Sequence, residues 1–371
     1  RGFWYMGTDH MHRHGSAALN NCGFISTKDI EEKGAYCFEW MMDLLMLGVG
    51  IGFDLKGAKK ITIKEPKEIE EVFVVPDCRE GWWVAISLVI EPYLYTEKKL
   101  IDRYRKRKEE RPVYKKVPIY NGIPKFDFSK IRKQGSIIRG FGGVASGPKP
   151  LIELIDRLKS IFNNQIGKKM TVENIVDVSN NIARCVIAGN VRRSAEIALG
   201  DIDDEVYLNL KNPEVLKNSK FYQDARWASN NSVIAKVGDD YTQVVKSIIS
   251  SGGEPGVIYL ENAKKYGRMD KIIGDSNYDR KHKWKDPKVE GVNPCGEQSL
   301  ASGELCCLAE TYPSNHCGGT FVRWNDKTQQ YYKKEMTAYE EYEETLKIAY
   351  LYTKSVTLLK THWPITNDIM H

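Results

Sequence analysis

The chain has 371 residues, is 42% hydrophobic and carries a formal net charge of +6. That is enough apolar material for one large α/β core or two smaller ones. The modest positive charge suits a protein that handles anions such as nucleotides without demanding nucleic acid, and no apolar run approaches the roughly 18 residues that span a bilayer.

The first 27 residues are rich in Gly, His, Asn and aromatics, and Ala18 to Ile25 reads as a short buried strand. Tyr36, Trp40, Leu44 and Leu47 recur at helical spacing and predict a helix from about Ile30 to Leu47. Gly48-Val49-Gly50-Ile51-Gly52 stops it. This run does not match the dinucleotide G-x-G-x-x-G fingerprint and reads as a glycine turn. Val72 to Val75 predicts a buried strand. Asp77, with Glu80 three residues on, predicts a capped helix through Trp82, Ile86 and Val89 to about Tyr95. The basic stretch Lys98 to Lys116 lacks a nucleic-acid-binding motif and reads as a solvated insertion or helix hairpin.

Ser146-Gly147-Pro148 introduces a helix with Leu151, Leu154, Ile155, Leu158 and Phe162 on one face. A second helix starts near Thr171, carries Ile175, Val178, Ile182 and Cys185, and ends at Gly189-Asn190. Ala195, Ile197 and Leu199 then alternate like a strand, and Val257 to Leu260 is another strand candidate. Helices alternating with short apolar strands argue for an α/β layered or barrel architecture.

Eight cysteines are scattered along the chain, unlike a small secreted disulfide scaffold, so a cytoplasmic protein with thiol chemistry is expected. The spacings match no common zinc pattern, and His10, His12 and His14 are too weak a pattern to assign a metal. Cys37, Cys78, Cys185 and Cys317 read as ordinary buried core thiols. Cys295 stands apart. Asn293-Pro294-Cys295-Gly296-Glu297 is a tight loop sequence able to project one thiol into a cavity beside a carboxylate and an amide, and Cys306 follows eleven residues later.

The N-P-C-G-E loop, followed at this spacing by a second cysteine, resembles the ribonucleotide reductases, as does Leu19-Asn20-Asn21-Cys22. Ala188-Gly189-Asn190-Val191-Arg192-Arg193-Ser194-Ala195-Glu196 is similar to the family's specificity loop and the strand after it. Arg226 to Ser232 and Gly253 to Gly256 are similar to further family segments, in order. The wording is closest to the monomeric, adenosylcobalamin-dependent (class II) triphosphate reductases.

The resemblance implies an α/β barrel of two parallel half-barrels with a central finger loop, of which residues 1–371 hold a part. Effector-binding loops are expected at about 50–61 and 129–200 and the finger loop at about 290–300. Cys295 would carry a thiyl radical, Glu297 would be the general base and Asn293 would hold the sugar hydroxyls. Cys22 and Cys306 would close to a disulfide to supply two electrons. Effector contacts would come from Arg132, Gly135, Arg139, Gly189, Asn190, Arg192 and Arg193, and substrate contacts from Gly50, Gly52 and Asn21.

Implied partners are a ribonucleoside triphosphate, a deoxynucleotide effector and a thioredoxin-like reductant, with no membrane and no nucleic acid. The family's later strands and shuttle cysteines are expected beyond this piece, which alone is not expected to turn over. A class I diphosphate reductase large subunit and a truncated nucleotide-binding remnant are the alternatives. Cys307 departs from the family, where Asn usually follows the second reducing cysteine. If 305–308 is a strand, Cys306 and Cys307 point to opposite faces.

Overall fold

The computed structural model describes residues 5–138, 144–188, 194–267 and 286–371, without the side chains of His10, Arg13 and His14. These residues form two compact units, Cys22–Leu305 and Arg1–Asn21 with Cys306–His371.

The first unit is built on parallel strands β1 (Cys22–Ile25), β2 (Gly50–Asp54), β5 (Glu196–Asp201), β6 (Ser229–Ile234) and β7 (Gly256–Ile258), adjacent in that order. β3 (Glu68–Val74) and β4 (Ile123–Asp127) make a separate parallel pair. β8 (Gly291–Val292) and β9 (Ser299–Leu300) form a short antiparallel hairpin. The short β10 (Leu305–Cys306) follows. Beside β1, the Phe24 N–H donates to the Glu304 carbonyl and Gly303 N–H to the Phe24 carbonyl, so the chain at this edge runs antiparallel and the sheet is mixed. All five residues of β2 and the first five of β5 are buried, as expected of parallel strands covered on both faces. β5 is therefore not the half-exposed alternating strand that its sequence suggests.

Helices α1 (Tyr36–Leu47), α2 (Arg79–Leu94), α4 (Lys149–Asn163) and α5 (Val172–Ile187) pack against one another, and α1 and α5 also cover the sheet. α3 (Glu97–Glu110) lies against α2. The capping box at Thr171 forms with Asn174, and the apolar face of α4 is buried at Leu151, Leu154, Ile155, Leu158 and Phe162.

Several expectations need correction. The helix from Ile30 is two helices, Ile30–Lys33 and Tyr36–Leu47, because Gly34 takes a φ of 56° between them. Gly50 to Gly52 is a central strand, since neighbours on both sides satisfy its backbone. Val72 is exposed while Phe73 and Val75 are buried. Asp77 does not cap α2, whose N-cap is Cys78 without a side-chain bond, because the Asp77 carboxylate pairs with Arg132 at 2.7 Å. Val257–Ile258 closes β7, but Leu260 begins a helix. Cys37 and Cys185 are buried, whereas Cys78 and Cys317 are exposed.

The basic stretch is not simply solvated. Arg107 on α3 is 1% exposed. It lies 2.6 Å from Glu39 of α1 and 2.5 Å from Glu91 of α2, two carboxylates with no exposed surface. Its guanidinium also donates to the Ser87 and Tyr114 hydroxyls. Arg111 pairs with Glu39 and Arg103 with Glu91. The periodicity of charge alone cannot reveal this, since the partners lie on other helices, Glu39 on α1 and Glu91 on α2.

The second unit contains a short helix Asp9–His14, the hairpin β11 (Gly319–Asn325) and β12 (Gln330–Met336), helix α6 (Ala338–Thr357) and helix Pro364–Met370. Ser16 donates to the Leu359 and Lys360 carbonyls, and Trp363 is buried. Glu344 of α6 accepts from Arg323 and Lys334 of the hairpin. Among the described residues no helix is long and apolar enough to cross a membrane.

Burial works against the Glu39 charge, but Arg107 and Arg111 overcome it and hold the carboxyl at about 2. A depressed carboxyl stabilises the fold above its unfolded value of about 4.3, and that stabilisation is lost as pH falls from there towards about 2. Arg107→Ala leaves two buried carboxylates short of a partner. It is expected to cost about 3–5 kcal/mol and to weaken this acid dependence, measured by urea unfolding across pH.

Candidate active site

The loop between β8 and β9 is shaped by its own residues. Asn293 and Gly296 close a turn in which the Gly296 N–H donates to the Asn293 carbonyl at 2.9 Å. Pro294 and Cys295 are its two central residues. Asn first, Pro second and Gly fourth is the residue pattern of a type I turn. Gly296 has a φ of 81°, a conformation that a side chain would strain. The Asn293 side chain is fully buried and ties the loop twice. Its amide donates to Glu297 at 2.7 Å and its carbonyl accepts from the Gln298 N–H at 3.0 Å. Cys295 and Glu297 are left exposed on the turn.

The hairpin lies directly against the sheet. A Cβ added to Gly52 would sit 1.9 Å from the Val292 carbonyl oxygen, and one added to Gly50 would sit 3.1 Å from the Pro294 side chain. A Cβ on Gly291 would strike the Phe24 ring at 2.1 Å. In the β1–β2 register, Cys22 stands beside Gly50 and Phe24 beside Gly52. Alternate residues of a strand share a face, so Cys22 is on the face that receives the hairpin. Its charge is felt at Cys295. Partial desolvation first, then Glu297 and Cys22, push the Cys295 thiol above its ordinary range and favour the protonated S–H.

Of the residues singled out in the sequence, the first unit thus brings together Cys295, Glu297, Asn293, Cys22, Gly50 and Gly52. Cys306 and Asn21 belong to the second unit, where the Asn21 N–H donates to the Cys306 carbonyl at 2.9 Å. Both Cys22 and Cys306 are half-buried. The Cys307 thiol approaches the Leu19 carbonyl at 3.8 Å, and burial raises its pKa.

Arg132 is paired with Asp77, and Gly135 bonds through its N–H to the Ala145 carbonyl at the root of a loop. Arg139, Gly189, Asn190, Arg192 and Arg193 lie outside the described residues. Among the described residues, no group of three or more His, Cys, Asp or Glu could hold a metal ion.

Comparison with known proteins places this arrangement. The family model described as "B12-dependent ribonucleotide reductase, insertion domain" matches residues 121–162. A probable adenosylcobalamin-dependent ribonucleoside-triphosphate reductase of Dictyostelium discoideum is 39% identical over 95% of this chain and 42% of its own length. The adenosylcobalamin-dependent ribonucleoside-triphosphate reductase of Euglena gracilis is 37% identical over 100% of this chain and 43% of its own. A crystal structure of a B12-dependent (class II) ribonucleotide reductase superposes with a TM-score of 0.70 at 28% identity, over 99% of this chain and 50% of that one. By sequence and by fold, this chain is similar to the class II ribonucleotide reductases. It spans about half the length of the relatives it matches or less.

In this chain the sequence reading does not reach the residues at the ends of β1 and β2. The buried Asp54 carboxylate accepts from the Ser26 hydroxyl at 2.7 Å and the Thr27 N–H at 2.9 Å. An acid closing an otherwise apolar strand was the available signal.

Gly52→Ala tests the packing of hairpin on sheet. The added methyl has no room, so β8 must move. The variant is expected to lose about 1–3 kcal/mol of stability, as overpacked cores do, measured by denaturant unfolding. Gly238→Ala is the comparison, since nothing lies within 4 Å of that position. Its loss is expected to stay within the cost of its positive φ.

Proposed function

We propose that the protein to which this chain belongs reduces ribonucleotides, as triphosphates, to deoxyribonucleotides with adenosylcobalamin as cofactor. One observation carries the reading: a single tight turn presents a protonated thiol, Cys295, beside the Glu297 carboxylate and on the same sheet face as Cys22. The relatives' names supply the substrate and cofactor. They do not favour the class I alternative, since each is described as dependent on adenosylcobalamin.

The thiol fits such a cofactor. Adenosylcobalamin, when bound, supplies the radical that a thiol needs before it can take hydrogen from a sugar. Cys295 is the residue proposed to meet it, because its S–H is exposed and held protonated. In the reaction proposed, Cys295 takes the 3′ hydrogen of the ribose and later returns one. Glu297 accepts the 3′-hydroxyl proton as the 2′-hydroxyl, protonated by one of the two thiols Cys22 and Cys306, leaves as water. Asn293 fixes the direction of that carboxylate through its 2.7 Å bond and remains a candidate contact for the sugar hydroxyls.

Two electrons are still needed, and Cys22 and Cys306 are proposed to give them by closing to a disulfide. Gly50, Gly52 and Asn21 would border the substrate. A thioredoxin-like partner would then reopen the disulfide, which suits a reducing, cytoplasmic setting. The barrel of two half-barrels, with 290–300 as its finger loop, is the architecture proposed for the whole protein.

The three thiols are expected to fail differently. With 3′-tritiated substrate, Cys295→Ser should release no tritium, because an O–H bond is too strong to replace S–H. Cys22→Ser and Cys306→Ser should still release tritium but yield free base in place of deoxynucleotide. Cys307→Ser should behave nearly as the parent. Tritium release by Cys295→Ser would remove the central assignment.

A deoxynucleotide effector is proposed to bind at about 50–61 and 129–200, with Arg132 and Gly135 at one loop and Arg139, Gly189, Asn190, Arg192 and Arg193 completing the contacts. Binding there should change which ribonucleotide is reduced, as coupled sites require. A mixed-substrate assay with each deoxynucleotide reads this directly, and an unchanged base preference would reject it.

A further inference from the structure

The hairpin that carries Cys295 is held at its far end by charge. Glu290 is the residue before β8, and its N–H donates to the Leu300 carbonyl. Its carboxylate receives Lys28, just beyond β1, at 2.7 Å, and Lys56, just beyond β2, at 3.9 Å. Lys56 also reaches the Asp54 carboxylate at 3.3 Å. Asp54 is 1% exposed and is tied to β1 through Ser26 and Thr27. The Thr27 hydroxyl donates to the Asp54 backbone carbonyl, and the Gly57 N–H donates to that hydroxyl. Two ammonium groups and two carboxylates thus join the ends of β1 and β2 to the root of the hairpin. Although partial burial opposes its charge, Glu290, then Asp29 and Asp54, hold the Lys28 ammonium above the ordinary lysine range.

The other root of the hairpin, just beyond β9, is hydrogen-bonded to β1, with the Ser26 N–H donating to the Ser302 hydroxyl and the Gly303 N–H to the Phe24 carbonyl; between the two roots the seat is steric. Gly291 on Phe24 and Val292 on Gly52 stop it from moving closer to the sheet, but packing of this kind resists sliding along the strands only weakly. The hydrogen bonds beyond β9 restrain that side of the hairpin, and a charge cluster fixed to the strand ends supplies the restraint along that direction on the β8 side, which leads into Cys295. Only four residues separate Glu290 from Cys295, and the Asn293 bonds make most of that span stiff.

We propose that Glu290 is a positioning residue, and that its clamp by Lys28 and Lys56 sets where Cys295 stands along β1 relative to Cys22. Its consequence for catalysis rests on the reductase reading above, while the clamp itself can be tested without it. Asp54 is the anchor on the sheet side and Glu290 the anchor on the hairpin side. No charge from the cluster acts on Cys295 appreciably, since its perturbation comes from desolvation, Glu297 and Cys22. The influence is mechanical.

The experiment follows the alkylation of Cys295 by iodoacetamide against pH in the whole protein, read by peptide mass spectrometry. Cys78 serves as the internal control, being exposed on a different element. In the parent, Cys295 should titrate above the ordinary thiol value of about 8.5. In Glu290→Gln and Lys28→Gln the loosened hairpin should let Cys295 move from Cys22 into water. Its titration should fall by about half a unit, giving about threefold faster alkylation at pH 8.

Both variants must shift in the same direction. A direct field effect would shift them oppositely, since one removes a negative and the other a positive charge, and that result would overturn the proposal. So would an unchanged Cys295 profile. Lys28→Arg should keep the parent profile, and Cys78 should not move in any variant. If Glu290→Gln does not fold, Lys28, which is 40% exposed, still provides the test. In the reductase assay, the same variants should lose kcat with KM unchanged. Failure of that assay in the parent would reject the reductase reading and leave the alkylation result standing.

Discussion

The contact of the Val292 carbonyl with the bare backbone of Gly52 is the constraint on which the site depends. A sheet covered by ordinary side chains keeps its neighbours about 10 Å away. Here the face of β1 and β2 is stripped by Gly50 and Gly52, so another stretch of backbone can lie almost upon it. Once β8 is there, Pro294 falls over Gly50, and the turn carries Cys295 past the start of β1, where Cys22 stands beside Gly50 in the register. Where Cys295 stands relative to Cys22 is thus decided by the absence of side chains on the adjacent strand.

The two faces of the sheet do different work. One carries α1 and α5 and is closed by ordinary apolar packing. The other holds the hairpin, whose interior is polar and tied by Asn293. Fully buried and doubly bonded, Asn293 gives up its freedom to fix Glu297, while Cys295 and Glu297 stay exposed on the turn. A rigid support beneath an accessible thiol and carboxylate is what the proposed hydrogen transfer requires, since small errors in placement are costly to rate.

Charge is used twice in the first unit, in contrasting surroundings. Around Arg107 it is buried, and three helices close over Glu39 and Glu91. Such a cluster contributes mainly by making any other arrangement of those helices expensive, because a lone buried carboxylate is costly. Around Glu290 it is half-exposed, and an exposed pair adds little to global stability. What it supplies there is direction, through a fixed point at the end of two strands.

The sequence by itself determined the local geometry of the loop and the residue types it presents. The N-P-C-G-E turn was legible because Pro, Gly and Asn act on their own backbone within five residues. The apolar face of α4 and the start of α5 near Thr171 were legible for the same reason, as local patterns. Only the tertiary structure decided what depends on distant partners. Gly48 to Gly52 reads as a turn in isolation, but only Gly48 ends the helix there; Gly50 to Gly52 is a central strand because β1 and β5 pair with it from elsewhere in the chain. Arg107 reads as one more solvated cation until Glu39 and Glu91 meet it. Asp77 has the spacing of a helix cap, but Arg132, far along the chain, binds its carboxylate. In each case a local preference worth a few tenths to one kcal/mol or so yielded to pairing or burial worth more, and no local pattern records the partner.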